Sequence, residues 1–197
     1  MISYKSFILE NARKTAILAF GRFNPPHKGH AKLVDHVLKQ TGDHHVIVSH
    51  SQDTKKNPLS ADEKVDYLKK MYPKHNVFHA ATKEAPSIFH HAANLHKAGY
   101  HHLHVVVGAD RVNEFKESLN KYNGKFDSNG NGYHFKSIKV SSAGDRDPDA
   151  EGTEGMSASK MRAHALSGNV AEFKKGLHPA LHKHAKEMIN KIKERLQ

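Results

Sequence analysis

The most informative stretch of the chain reads Ala16-Ile17-Leu18-Ala19-Phe20, then Gly21-Arg22-Phe23-Asn24-Pro25-Pro26-His27-Lys28-Gly29-His30. The first five residues are apolar and predict a buried strand, and the proline-rich segment after them predicts a turn that opens a helix. Such a helix directs unpaired backbone N–H groups and the positive end of its dipole toward the space above the strand. We therefore expect a phosphate site here, with His27 and His30 as side-chain donors and Gly29 allowing a ligand to approach closely.

Apolar runs and helical patterns alternate along the chain. The predicted strands are 15–20, 45–49, 76–80, 103–107 and 137–141, and the predicted helices are 29–40, 60–71, 87–98 and 111–121. This alternation predicts an α/β, Rossmann-like, doubly wound parallel five-stranded sheet with helices on both faces and C-terminal helices after it. Ligands of such sheets bind beyond the carboxyl ends of the strands, where the strand order reverses.

The length of 197 residues suits one α/β domain with a core of its own. We divide the chain into an N-terminal arm or leader (1–14), the main domain (15–167) and a C-terminal helical extension packed on that domain (168–197). In the extension, apolar residues recur at helical spacing from His178 onward, and this pattern predicts a terminal amphipathic helix. The Gly- and Asn-rich segment 123–132 predicts a hairpin-like surface excursion.

The net positive charge indicates anionic binding partners but does not distinguish among them. Lysine and arginine number 31 against 20 aspartates and glutamates, a net charge of +11, which attracts nucleotides, nucleic acids and acidic proteins alike. The chain has no cysteine, so disulfides, thiolate metal sites and a cysteine nucleophile are excluded. Its 19 histidines show no zinc spacing, and we predict no metal site made by the protein alone. No apolar run is long enough to predict a membrane span.

The segment from Gly21 to His30 resembles the HxGH motif of the nucleotidyltransferase superfamily, and its Gly-Arg-Phe-Asn-Pro-Pro-His form is most similar to the archaeal-type nicotinamide mononucleotide adenylyltransferases. The resemblance implies that His27 and His30 stabilise charge near the α-phosphate of a nucleoside triphosphate, while Arg22 holds its outer phosphates. The other residues of the motif that the resemblance assigns to nucleotide binding are Gly21, Phe23, Asn24, Lys28 and Gly29, of which Lys28 matches loosely.

Three later segments extend the resemblance over roughly residues 15–165. Gly155-Met156-Ser157-Ala158-Ser159-Lys160-Met161-Arg162 is similar to the superfamily's second signature, which implies that Met156, Ser157, Ser159 and Arg162 hold the β- and γ-phosphates. Gly108 and Asp110 are similar to a Gly-x-Asp turn whose acid faces the ribose of the nucleotide or of the acceptor. The Asn57-to-Lys64 segment is similar to an Asn-Pro-Leu-Ser-Ala stretch of the adenylyltransferases, although Lys64 stands where those enzymes usually carry arginine. Ser60 and Glu63 in it also fit a helix capping box.

The resemblance implies transfer of a nucleoside monophosphate from a nucleoside triphosphate to a phosphorylated small molecule, with Mg²⁺ accompanying the triphosphate and pyrophosphate leaving. It favours ATP with nicotinamide mononucleotide as acceptor. Those adenylyltransferases commonly stack nicotinamide on a tryptophan, however, and the chain has none. Because Glu154 to Ser157 also resembles a segment of the cytidylyltransferases, CTP with a phosphoalcohol is the alternative within the enzyme class. A basic nucleic-acid-binding or virion structural protein with an idle nucleotide site is the alternative of another class.

The first ten residues resemble the capsid-targeting leaders of large tailed bacteriophages, since Ile8-Leu9-Glu10 fits the cleavage pattern of a prohead protease. An ordinary N-terminal arm is the alternative. We expect a cytoplasmic location, which for a viral protein means the cytoplasm of the host cell, with packaging in the phage head if the leader is used. The sequence leaves both a monomer and a homo-oligomer open.

Overall fold

The computed structural model describes residues 14–144 and 157–196. Seven strands occur in this part of the chain: β1 (Thr15–Gly21), β2 (Asp43–Val48), β3 (Phe78–Ala80), β4 (His102–Val107), β5 (Lys125–Phe126), β6 (Gly132–Tyr133) and β7 (Ser137–Ser142). Five of them form one sheet in the order β3-β2-β1-β4-β7, and all neighbouring strands are parallel. The predicted five-stranded parallel sheet is confirmed. The predicted surface excursion contains the short antiparallel pair of β5 and β6.

Helices connect the strands and follow the last of them. The described residues form α1 (Lys28–Leu38), α2 (Ala61–Met71), α3 (Ile88–Lys97), α4 (Val112–Tyr122), α5 (Ala158–Ser167), α6 (Val170–Gly176) and α7 (Ala185–Arg195), with 3₁₀ segments at Ala109–Arg111 and Pro179–His184. The predicted helices are present within a few residues of their predicted ends. No described helix is both long enough and apolar enough to cross a bilayer.

The sheet is covered on both faces because successive strand residues point in opposite directions. On the central strand β1, Ile17 and Ala19 face a core shared with α1, α2 and the C-terminal helices, whereas Ala16 and Leu18 face a second core built with α3 and α4. This double burial explains why β1 reads as an unbroken apolar run instead of alternating. The strand order reverses at β1, whose neighbours are β2 and β4, and the fold is therefore doubly wound as predicted.

The C-terminal segment packs into the first of these cores. Its predicted apolar positions are buried at Leu181, Ala185, Met188, Ile189 and Ile192. The α-helix begins at Ala185 and not near His178, however. Residues Pro179–His184 form a 3₁₀ segment in which the Leu181 N–H bonds to the His178 carbonyl, an i to i+3 pattern that is tighter than the α-helical one.

A buried histidine in the sheet gives the fold a defined response to acid. His104 on β4 is 6% exposed, and its Nε2 lies 2.7 Å from the Ser141 hydroxyl on β7. Burial, together with the nearby Lys139 and His36, lowers the pKa of His104 from 6.5 to about 4. As pH falls through 6.5, His104 becomes protonated in the unfolded chain but stays neutral in the folded protein. The free energy of unfolding therefore decreases until the pH approaches 4.

Between pH 6.5 and pH 4, we therefore expect the free energy of unfolding to decrease by about 2 kcal/mol less in a His104→Gln variant than in the wild type. Urea titrations across this range measure it. His102→Gln is the matched control, because His102 lies on the same strand and pairs with Ser137 as His104 pairs with Ser141, but is less buried. Equal pH slopes in the wild type and His104→Gln would contradict the assignment.

Candidate active site

A cleft of about 420 Å³ opens at the carboxyl ends of β1 and β4, the position where the strand order reverses. The cleft is lined by residues of four segments: the end of β1 with the turn after it and the first two turns of α1, the loop before α2, the end of β4 with the turn after it, and the start of α5. The lining residues are Phe20, Gly21, Arg22, Phe23, Asn24, His30, Leu33, Lys56, Asn57, Val106, Val107, Gly108, Asp110, Arg111, Ser157, Ala158, Ser159 and Arg162. Motifs more than a hundred residues apart in sequence thus meet in one cleft.

The β1–α1 turn is shaped around the Phe23 side chain. Phe23 is fully buried and its backbone has a φ of 49°, in the left-handed region that side chains other than glycine seldom adopt. A Cβ atom on Gly21 would lie 2.9 Å from the Phe23 ring, so only glycine leaves room for the ring at that position. The ring in turn packs against His30, with 4.7 Å between the ring centroids. Gly21 and Phe23 therefore give the turn its shape and support the histidine.

The two histidines of the turn take different positions. His27 is fully buried and caps α1, because its Nδ1 accepts the Gly29 N–H at 3.0 Å. With Nδ1 as acceptor, the proton of the neutral ring is on Nε2. His30 lies on the first turn of α1 and lines the cleft, and its ring centroid is 3.9 Å from that of His27. The structure thus brings His30 to the cleft surface and places His27 directly behind it.

Arg162 and the serines of the second motif meet the first motif at the cleft. The Ser157 side chain caps α5 by accepting the Lys160 N–H. Arg162 donates from Nη1 to the Asn24 carbonyl at 2.9 Å and from Nη2 to the Ser159 hydroxyl at 3.1 Å. Burial lowers the pKa of the Arg162 guanidinium, with Asp53 acting in the opposite direction and the cationic Arg22 adding to the decrease. Arg22 therefore disfavours the charged form of Arg162, and a bound anion would offset this effect.

Asn24, predicted as a nucleotide-binding residue, is 2% exposed and uses its side chain inside the protein. Its Nδ2 donates to the Leu59 carbonyl at 2.9 Å, and its Oδ1 accepts the Leu59 N–H at 3.0 Å. Leu59 precedes Ser60, whose side chain caps α2 in the predicted capping box with Glu63. The Asn24 amide therefore joins the β1–α1 turn to the loop before α2, while its backbone carbonyl receives Arg162.

The turn after β4 adds an acid and a cation. Gly108 lies beneath the Asp110 carboxylate, since a Cβ on Gly108 would be 2.7 Å from Oδ1 of Asp110. Asp110 and Arg111 are exposed residues of the cleft lining. The predicted residues Gly108 and Asp110 are thus at the cleft, and Arg111 joins them.

Three predicted residues of the first motif, His27, Lys28 and Gly29, are not among the residues that line the cleft. Gly29 contributes the N–H that His27 accepts. Met156 lies outside the described residues, as do residues 1–13 of the predicted arm or leader.

Lys56 and Asn57 line the cleft but were not predicted as site residues. A preorganised loop presents them: the Asp53 carboxylate accepts the backbone N–H groups of Lys55, Lys56 and Asn57 and the Asn57 amide. These hydrogen bonds hold the pKa of Asp53 well below its usual range. The sequence does contain a signal for this part of the cleft, because Asn57 is the first residue of the Asn-Pro-Leu-Ser-Ala segment that resembles the adenylyltransferases.

Lys64, in the same segment, lies away from the cleft surface. It is fully buried and donates to the backbone carbonyls of Ser49 and Ser51, at 3.2 Å in the case of Ser51. Burial lowers its pKa to about 8. Its ammonium group fixes the loop after β2.

Comparison with known proteins identifies a family for the chain. A family model described as "Cytidylyltransferase-like" matches residues 18–164. Among curated proteins, none matches the sequence.

Solved structures share the fold. The Plasmodium falciparum nicotinic acid mononucleotide adenylyltransferase complexed with NaAD aligns with a TM-score of 0.55 and 14% identity over 88% of this chain and 95% of that one. The same enzyme complexed with APC aligns with a TM-score of 0.61 and 13% identity over 89% of this chain and 96% of that one. At such low identity the likeness establishes the architecture.

Proposed function

Because this chain belongs to the cytidylyltransferase-like family, we propose that it is a nucleotidyltransferase that transfers a nucleoside monophosphate from a nucleoside triphosphate, ATP in preference to CTP, to a phosphorylated small molecule. Pyrophosphate is the second product. The observation that carries the proposal is the meeting of His30, Arg22 and Arg162 in one cleft at the start of α1 and α5. Helix N-termini, imidazole and guanidinium groups are all suited to phosphate.

The proposed reaction is a direct displacement at the α-phosphorus. An oxygen of the acceptor phosphate forms a bond to the α-phosphorus while the bond to the β-phosphate oxygen breaks, and pyrophosphate leaves with the electron pair. No covalent enzyme intermediate is required. The protein then has to position the two substrates and offset the charge that moves onto the leaving group.

The scheme gives roles to four cleft residues and to His27 behind them. His30, at the cleft surface, donates to an α-phosphoryl oxygen, and Arg22 and Arg162 hold the outer phosphates. Ser159 orients Arg162 through its hydroxyl group. His27 acts from behind His30: it fixes the start of α1 through Gly29 and keeps the neighbouring ring in place.

The residues present fit Mg²⁺ that arrives with the triphosphate. Within residues 14–144 and 157–196, no group of three or more histidine and carboxylate side chains is arranged to hold a metal ion. Asp110 is the carboxylate of the described cleft lining. Mg²⁺ commonly binds through one or two carboxylates together with substrate phosphates and water. Asp110 would serve as that carboxylate, in place of the ribose contact that the resemblance implies for it. When bound, Mg²⁺ would neutralise part of the triphosphate charge.

The preference for ATP and for nicotinamide mononucleotide rests on the Gly21-to-His27 sequence, and the adenylyltransferase neighbours support it. The family description supports the alternative, CTP with a phosphoalcohol. Phe20 lines the cleft, and we assign its aromatic ring to stack the nicotinamide in place of the tryptophan that the archaeal-type adenylyltransferases commonly use.

A substrate panel tests the proposed function. The full-length chain is incubated with Mg²⁺, each of the four ribonucleoside triphosphates, and nicotinamide mononucleotide, nicotinic acid mononucleotide, phosphocholine or glycerol 3-phosphate, and released pyrophosphate is measured. We expect release with ATP and a mononucleotide acceptor, a product of the summed mass, and no release when EDTA removes Mg²⁺. Release with CTP and a phosphoalcohol alone would select the alternative. No release with any pair, together with DNA binding that weakens steeply with salt, would favour the idle-site protein.

A further inference from the structure

A continuous set of hydrogen bonds runs from the C-terminal helix to the cleft. Arg195, on the last turn of α7, donates from Nη1 to the Pro58 carbonyl at 3.1 Å and, through both terminal nitrogens, to the Glu63 carboxylate. Glu63 accepts the Ser60 N–H at 2.9 Å as part of the capping box of α2. Arg195 therefore holds the segment that contains Leu59 from both sides, at Pro58 and at Ser60.

The same segment is held from the cleft side by Asn24. Leu59, between the two residues fixed by Arg195, makes both hydrogen bonds to the Asn24 amide. The Asn24 carbonyl accepts Arg162, and the residues just before Pro58, Lys56 and Asn57, form one wall of the cleft. A shift of the Pro58–Ser60 segment would thus displace both the cleft wall formed by Lys56 and Asn57 and the Arg162 guanidinium.

Arg195 lies on a helix that packs in the core, and it pairs with a charged carboxylate. Met188, Ile189 and Ile192 of α7 are buried in the core beneath the sheet, so the helix that carries Arg195 has a fixed position. Burial opposes ionisation of Glu63, but hydrogen bonds from Arg195, the Ser60 N–H and Lys191 lower its pKa to about 2. The carboxylate is therefore charged at neutral pH, and the fork of Arg195 makes a bidentate ion pair with it.

We propose that Arg195 is a positioning residue for the cleft: it holds the Lys56–Ser60 segment and, through Asn24, the Arg162 guanidinium in the arrangement that receives a triphosphate. This inference rests on the proposed function. It gives the C-terminal extension a part in triphosphate binding, although no residue of that extension lines the described cleft.

The test compares Arg195→Met with Lys191→Met. Lys191 is the matched control, since it also lies on α7 and pairs with Glu63, at 3.2 Å, but the bond to Pro58 belongs to Arg195. Arg195→Lys is the conservative variant. Lysine keeps the positive charge, but its ammonium group replaces only some of the hydrogen bonds that the guanidinium group makes. Hydrogen exchange of the backbone amides of residues 55–57, 59 and 60, binding of a non-hydrolysable triphosphate and the separate KM values for triphosphate and acceptor are measured in each full-length protein.

We expect Arg195→Met to speed exchange of the backbone amides of residues 55–57, 59 and 60 by about 10-fold and to raise the triphosphate KM by about 10-fold, with the acceptor KM changed by less than about 2-fold. Lys191→Met should match the wild type, and Arg195→Lys should lie between. Equal effects of Arg195→Met and Lys191→Met, or faster exchange with unchanged triphosphate binding, would overturn the inference. A wild-type protein that binds no triphosphate would instead overturn the proposed function, and this inference with it.

Discussion

The His30→Ala variant is expected to transfer the nucleotidyl group about 100-fold more slowly than the wild type, or slower still, while remaining folded. His30 lines the cleft on the first turn of α1, and its ring rests between those of Phe23 and His27. In the proposed reaction, a donor held in this way is oriented toward the charge that develops on the α-phosphoryl oxygens, and alanine would leave that charge without its donor. Because the effect arises in the transition state, kcat should decrease far more than the triphosphate KM increases.

Steady-state kinetics with the best substrate pair from the panel measure the effect of His30→Ala. His36→Ala is the matched control: His36 lies on the same helix but is not part of the cleft lining. Thermal unfolding of both variants separates a folding defect from a catalytic one. A folded His30→Ala protein with wild-type turnover would remove His30 from the mechanism, and an equal loss in both variants would attribute the loss to helix α1.

The sheet and the position of the cleft follow from short-range patterns in the sequence. The run Ala16–Ala19 is buried on both sides, and this is why an unbroken apolar run was sufficient to predict a central parallel strand. The turn after it had to lie at the carboxyl end of that strand, and Gly108 had to lie at the end of β4. The strand order at β1 then brings the two turns together.

What the sequence did not predict depends on contacts between distant segments. The sequence motif does not distinguish the positions of His27 and His30. The fold shows that His27 caps α1 from the interior and that His30 faces the cleft. The cleft position of Lys56 follows from the loop that the Asp53 carboxylate organises. Asparagine in a phosphate-binding motif suggests a ligand contact, and nothing local to Asn24 reveals that its amide pairs with Leu59, 35 residues away.

This pairing leads to the second large effect, that of Asn24→Ala. Alanine removes both partners of the buried Leu59 backbone and leaves its N–H and carbonyl groups without the Asn24 amide, at a cost of about 2–4 kcal/mol in the free energy of unfolding. The Arg162 bond to the Asn24 carbonyl no longer has a fixed acceptor once the turn loosens. We therefore expect triphosphate affinity to fall by about 10-fold or more in the molecules that remain folded.

Asn123→Ala provides the control for Asn24→Ala. The Asn123 amide makes the same two-bond clamp on Phe135, donating to its carbonyl at 3.0 Å and accepting its N–H at 2.9 Å, and Asn123 is not part of the cleft lining. Both variants should unfold at lower urea concentration than the wild type, while only Asn24→Ala should lose triphosphate affinity, measured by calorimetry below the unfolding transition. If the two variants lost stability and kept the same affinity, the hydrogen bonds from the Asn24 amide to Leu59 would be a stabilising contact with no part in arranging the cleft. The hydrogen bond to Ser159 would then be enough to orient Arg162.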